Sequence, residues 1–534
     1  MADRRTLFAV VLLAIIFHGI CIAQTILPAQ DGLKFIRVAH QFQTQPWADV
    51  IRGSDIHPLY PAAIAMAEPV FGALLGHEAD TWRIAAQAVS VIGALALVVP
   101  VYFLTESLFD STVALLAAGI AAFLPRAAEV GHDTLSITMA LCALFWALWL
   151  GILAVRKADL RFAVASGGCA GIGYLARPET MIVPPVMLLS WFVHVVQNRG
   201  RLMPPRLPAV VAIFASSLLV LGAYAGLKGE VSERISVHRM IGLGPQHLLH
   251  RSVPQRLPEG LDNPRWDFSP KEETDHIPIK GWSNGLLRIT GKWWEELCWL
   301  FAIMTVWGLV RQKQTLAFCG ASAANEGREI TRTVLLVFAG LYLLVLLRHG
   351  ASLGYLSGRH VIALVMASIP WAAGGTYVCG RTLARNFGWT PTVAISLRNF
   401  ILATGLIGSL MVQTRPTHLN HLSRWGHWAA GRWLSANAPG AVVLDTRGWA
   451  RFVSGCDGYD YWHVRQALTD SRLQYVVVGL DELAARSPRA HTLNALLSYA
   501  ATPLLDFPAF PGDTRPAVRL YRFERPKTWE GLVP

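Results

Sequence analysis

Charge is scarce in this 534-residue chain: Asp, Glu, Lys and Arg make up 15% of it, against about 25% in ordinary soluble domains. Eleven runs contain none of the four: 7–29, 84–104, 111–125, 134–155, 162–176, 180–197, 207–227, 297–310, 333–347, 361–380 and 399–414. A purely soluble enzyme is excluded, because such runs need lipid as solvent. The seven cysteines, Cys21, Cys142, Cys169, Cys298, Cys319, Cys379 and Cys456, form no C-x-x-C pair. Neither a zinc site nor a disulfide framework is therefore encoded. There is no G-x-x-x-x-G-K-[ST] loop and no strand-linked G-x-G-x-x-G, so no nucleotide-binding signature. No repeat, Gly-Ser linker or low-complexity tract separates the C-terminal stretch from the apolar part of the chain.

What is present is apolar and aromatic. Hydrophobic residues make up 53% of the chain, with 19 Trp, 12 Tyr and 22 Phe, which excludes intrinsic disorder. The net charge is +12, and membrane topology explains it without nucleic acid. With Met1–Arg5 on the cytoplasmic side, the inner segments hold 15 Lys and Arg and the short outer loops hold four. That bias gives an N-in, C-out chain of about 11 spans, the short runs borrowing flanking Trp, Tyr or Arg to reach the interfaces. The first run is long for the core of a signal peptide and is read as an uncleaved helix.

Three polar blocks then lie outside: 30–83, 228–296 and the tail from 415 to 534. The division expected is a membrane unit over 1–414 and a small outer α/β domain over 415–534. Within the tail, AVVLD (441–445), YVVVG (475–479) and VRLYRF (518–523) read as strands, with helix-like stretches at 425–434 and 448–455.

The first outer block carries the densest chemistry. Asp31 follows the first span directly, at the start of a helix that places Lys34, Phe35, Val38 and Phe42 along one side, an amphipathic segment on the membrane surface. An N-cap or a plain interfacial charge is the alternative for Asp31. Asp55 lies in D-I-H-P-L-Y-P with His57 and Tyr60, and two carboxylates beside a membrane can share general-base and orienting roles. Between the fifth and sixth spans, Arg177-Pro178-Glu179 is either a helix-end ion pair or an anion-organising arginine. Arg348, His349, Arg359 and His360 flank a Gly-rich outer turn and suit a phosphate. Asp133 reads as an N-cap of the fourth span. His418, His421 and His427 lack a completing ligand and read as an interfacial helix, and Lys292–Trp299 as an aromatic belt.

These residues, in this order, resemble the GT-C membrane glycosyltransferases, especially the group of protein O-mannosyltransferases and the lipid A aminoarabinose transferase (glycosyltransferase family 39-like). The resemblance rests on Asp31 after the first span, on Asp55-Ile56-His57-Pro58, on Arg177-Pro178-Glu179, and on Arg359-His360 opening a late span. It departs at Gly32, where the family often has Glu, and at His360, where it has an aromatic.

It implies a polyprenyl-phosphate-linked sugar as donor, a protein, lipid or glycan acceptor presenting a hydroxyl or phosphate, and a bacterial cytoplasmic membrane with chemistry at the outer face. It implies Asp31 as base, with Asp55 and His57 on the acceptor side. Arg359, Arg177 and Lys34 would hold the phosphate, with Glu179 and His360 in support. No cofactor or metal is expected from the resemblance, although paired acids leave a divalent ion open. The rival classes are a transporter or flippase of lipid-linked substrates and a noncatalytic scaffold. Transporter sites place ionisable groups at mid-bilayer, whereas here the charges gather at one interface.

Overall fold

The computed structural model describes residues 2–76, 78–197, 206–231, 282–319, 326–353, 356–388, 390, 392 and 421–526. Helix α1 (Ala2–Ala23) leads into three helices inside the first polar block: α2 (Gln30–Thr44), α3 (Trp47–Gly53) and α4 (Leu59–Leu75). Then follow α5 (Ala79–Leu108), α6 (Ser111–Phe123), α7 (Pro125–His132), α8 (Ile137–Lys157), α9 (Leu160–Tyr174), α10 (Val183–Gln197) and α11 (Leu207–Lys228). After the second long loop come α12 (Trp282–Glu296), α13 (Leu300–Val310), α14 (Gln312–Phe318), α15 (Glu326–Leu353) and α16 (Gly358–Asn386).

Ten of the eleven charge-free runs coincide with these helices, and 399–414 lies outside the described residues. Among the described residues seven helices are long and apolar enough to cross a membrane, or nine if each of two bent pairs is one span. The count of 11 is thus not reproduced among the described residues. The run 162–176 is the fifteen-residue α9, and the two short runs 111–125 and 297–310 belong to the bent pairs. One bend, 54° between α6 and α7, comes where Pro125 starts a new helix. The other is 106°, at Cys298 and Trp299, whose φ of 54° and 48° stop α12 and re-aim the chain into α13.

Burial sorts the helices by solvent. The most apolar window of α16 is 94% buried, so this helix runs through the middle of the bundle, against 22% for α1 and α11. On α1, Phe8, Leu12, Leu13, Ile15, Ile16 and Ile20 are exposed, as expected of a lipid-facing surface. The apolar face of α2, Phe35, Val38, Ala39 and Phe42, is covered by Tyr60 and Ile64 of α4. That packing covers the stripe expected to lie on the membrane.

The tail folds around a five-stranded sheet: β1 (Val442–Asp445), β2 (Asp457–Asp460), β3 (Leu473–Gly479), β4 (Ala501–Pro508) and β5 (Pro516–Phe523), in the order β2-β1-β3-β5-β4. The β1 strand pairs in parallel with β2 and β3, and β5 runs antiparallel to β3 and β4. All four residues of β1 are buried, which is why a charge-free VVL run marks a strand enclosed on both faces. Helix α17 (Trp425–Asn437) covers one face, followed by α18 (Trp449–Ser454), α19 (Val464–Thr469), α20 (Leu480–Ala484) and α21 (Pro488–Ala500).

Candidate functional site

The link between α1 and α2 is clamped from two sides. Ala29 N donates to Asp133 Oδ1 (2.9 Å), Trp449 Nε1 donates to Pro28 O (2.9 Å), and Arg424 donates to Leu27 O (2.7 Å). The first turn of α2 is therefore fixed by a loop of the bundle and by the tail together. Ala29, not Asp31, holds the N-cap position. Asp31 sits one residue into the helix, where the helix dipole favours a carboxylate, and its side chain is 52% exposed.

Asp31 points at the start of α16. Arg359 Nη1 donates to Asp31 Oδ2 at 2.7 Å, across 328 residues of sequence. Ser357 caps α16, and His360 closes a reciprocal capping box, its Nδ1 3.1 Å from Ser357 N. His360 thereby sets the start of the helix that carries Arg359. Its ring also lies 4.6 Å from that of His349. Beside them Arg177 Nη2 donates to Glu179 Oε1 at 2.9 Å, and Arg177, Glu179, Tyr342 and Arg359 line one small cavity of about 20 Å³, room for roughly one water. Burial opposes the charge on Arg177, but Glu179 more than compensates and its pKa is raised. The result is one cluster of two arginines and two carboxylates drawn from α2, the α9–α10 junction and α16. The helix-end ion pair expected of Arg177 and Glu179 is thus formed.

Lys34 lies one turn along α2 from Asp31 and lines a larger cleft beside the tail. Asp55 and His57 are placed otherwise. Asp55 is exposed and makes no hydrogen bond or ion pair among the described residues. His57 is 2% exposed, packed against the rings of Tyr174 (5.1 Å) and Tyr224 (6.0 Å). Their turn is held by Leu59 N donating to Leu175 O (2.8 Å) and by Lys228 Nζ donating to Ser54 O (2.5 Å). It thus adjoins the segment leading to Arg177 without joining the Asp31–Arg359 pair.

Three features escaped the sequence reading. Asp133, taken as a helix cap, instead anchors Ala29 and lies 3.7 Å from His421. At Gly32 a Cβ would lie 1.7 Å from Thr134 Oγ1, so this position, at which the sequence resemblance leads one to expect Glu, is closed to a side chain. Gly358 is similarly pressed on Glu296, where a Cβ would meet Oε1 at 1.7 Å. Glu296 lies 3.7 Å from Arg126, which also binds Glu129 at 2.6 Å. The segment read as an aromatic belt thus also packs a carboxylate beneath the start of α16. No local signal marks any of these pairings. Among the described residues no three of His, Cys, Asp and Glu are grouped to hold a metal ion.

Residues 57–222 match the family model of dolichyl-phosphate-mannose-protein mannosyltransferase. No curated protein matches the chain. Among solved structures, the archaeal oligosaccharyltransferase AglB from Archaeoglobus fulgidus, in complex with an inhibitory peptide and a dolichol-phosphate, aligns over 100% of this chain and 75% of its own, with TM-score 0.57 and 13% identity. ArnT from Cupriavidus metallidurans aligns over 98% of both chains in its apo state, with TM-score 0.56 and 10% identity. Its undecaprenyl phosphate-bound form aligns over 96% of this chain and 97% of its own, with TM-score 0.50 and 12% identity. The fold is the GT-C fold of membrane glycosyltransferases.

Proposed function

We propose that this chain is an enzyme that moves a sugar from a polyprenyl-phosphate-linked donor to an acceptor hydroxyl or phosphate at the outer face of a bacterial cytoplasmic membrane. The observation that carries the reading is the Asp31–Arg359 pair, a carboxylate and a guanidinium joined at the end of a lipid-facing bundle. Support comes from the fold, since relatives of that fold were solved with dolichol-phosphate and undecaprenyl phosphate bound.

The chemistry follows from what each group can do. A sugar phosphate ester already contains a good leaving group, so the protein must neutralise the departing phosphate and take a proton from the acceptor. Arg359 engages Asp31 through one Nη1 contact, and a guanidinium has five N–H donors, so it can hold a phosphate and the carboxylate at once. Asp31 is then the base: the acceptor hydroxyl gives its proton to the carboxylate, the acceptor oxygen bonds to the anomeric carbon, and the carbon–phosphate oxygen bond breaks. The electron pair stays on the phosphate, held by Arg359 and Arg177, with Lys34 nearby. Glu179 aims Arg177, and His360 aims Arg359 through the capping box. Asp55 and His57 shape the acceptor side from the neighbouring turn. We assign the N-terminus to the cytoplasm and the tail to the outer face, with 1–414 as the membrane unit and 415–534 as the outer domain.

The experiment is transfer by purified protein from a polyprenyl-phosphate sugar, with Asp31→Asn as the control. That substitution keeps size and polarity while removing the base. Turnover of Asp31→Asn within a few fold of the wild type would reject Asp31 in this role.

A further inference from the structure

A second cavity, larger than the one beside Arg177, lies on the tail side of α2. It has a volume of about 730 Å³ and runs between α2, the start of α5, and α17–α18 of the tail. That size is typical of small-molecule sites, roughly 300–1,000 Å³. Gln30, Lys34, Arg37, His40 and Gln41 line it from α2, at the spacing of one helix face. From Gln30 to Gln41 the face extends about 16 Å at 1.5 Å per residue. One end of the cleft is thus adjacent in sequence to Asp31, and the other reaches Trp82.

The walls carry two kinds of group. Trp82, with His40 at 5.5 Å, stands on the bundle side, and Trp428, with Trp425 at 4.7 Å, on the tail side. Both cleft tryptophans are half-buried, held by their own elements yet presenting surface. Two of the charged wall groups, Arg37 and Arg447, are paired with carboxylates, while Arg432 lies over the Trp428 ring at 5.9 Å and Arg451 donates to Gly458 O. Arg37 binds Asp460 at 2.8 Å, and Arg447 binds Asp481 at 2.6 Å and Glu482 at 2.8 Å. Beside these groups the cleft offers aromatic faces, amides and hydroxyls, which suit a neutral polyol whose rings have one C–H face and a rim of hydroxyls.

We propose that this cleft is a saccharide subsite for the acceptor, with pyranose rings stacked on Trp82 and Trp428 and the end at Gln30 delivered to Asp31. The word acceptor rests on the glycosyl-transfer reading; the capacity to bind sugar does not.

The test uses full-length protein in phospholipid nanodiscs, because maltoside detergents would present a competing sugar. Saturation-transfer NMR with cellobiose and with chitobiose should show transfer to ring protons for at least one of them. Trp428→Ala should weaken that binding about tenfold, the loss of one aromatic contact. Ser435→Trp, on the exposed face of α17 that lines the cleft, should block it without removing a core group. Both variants should bind undecaprenyl phosphate as the wild type does. Absence of transfer to both sugars, or transfer unchanged in both variants, overturns the subsite. Sugar binding lost in the variants, with no transferase activity in the wild type, supports the subsite and sinks the glycosyl-transfer reading. Transferase activity without sugar binding does the reverse.

Discussion

The first polar block supplies two acids, and the fold treats them differently. Asp31 is locked onto Arg359 at 2.7 Å beside a second arginine, on a helix whose start is fixed by Asp133, Arg424 and Trp449. Asp55 stands exposed in a turn whose neighbour His57 is sealed between tyrosines. Two acids of the same polar block thus end up differently: one paired with an arginine on a helix start held by three separate elements, the other exposed in its own loop. Position relative to cationic partners, more than residue type, separates the two.

The sharpest way to break this comparison is to neutralise each acid in turn. Asp31→Asn should lower kcat by about 10²–10⁴-fold, the usual worth of a general base, and Asp55→Asn should cost less. Single-turnover transfer measures both, and a larger loss at Asp55 would reverse the assignment. Next in size is Arg359→Lys, which keeps charge but loses the planar fork. It should weaken use of the donor by roughly tenfold or more, read by donor titration. Membrane insertion should be unaffected, because either side chain reaches the interface.

A smaller effect is expected from Gly32→Glu, which sets an acid beside Asp31 but drives a Cβ into Thr134 Oγ1. It should cost about 1–3 kcal/mol of stability by overpacking, seen in thermal unfolding, and Thr134→Gly should recover part of it. The smallest is a pH effect at His421, which faces Asp133 and lies near Arg424, His132 and Glu129. Burial, helped by Arg424, pushes its pKa down to about 4 from 6.5. The unfolded chain therefore takes up a proton that the folded one refuses. Stability from this group is full above pH 6.5 and falls as the pH drops toward 4, by on the order of 1 kcal/mol for a side chain still a fifth exposed. Thermal unfolding of wild type and His421→Gln across that range should show the difference, and parallel curves would remove His421 from the clamp.

Much of the architecture was legible because it is local. Charge-free runs located helices since a helix in lipid must satisfy its own backbone and present apolar side chains. Strands β1 and β3 announced themselves through Val-rich runs, and β5 through the alternation of VRLYRF. The β2 strand, DGYD, and β4, with Pro503 and Pro508 on an exposed edge, did not, because their place comes from pairing with β1 and β5. The span count is not reproduced among the described residues because α9 has only fifteen residues and sharp bends break the helices at the ends of the runs 111–125 and 297–310.

By itself the sequence determined a polytopic helical chain with an α/β tail, the amphipathic face of α2, and the Arg177–Glu179 pair, two residues apart. Each depends on a period or spacing shorter than one or two helical turns. Only the tertiary structure decided that Arg359 would meet Asp31 across 328 residues, that Thr134 would close position 32, and that α2 would form one wall of a cleft with Trp428 opposite. Those outcomes depend on which helix ends pack together, and that is settled by the shape and burial of the whole bundle, which no local pattern records.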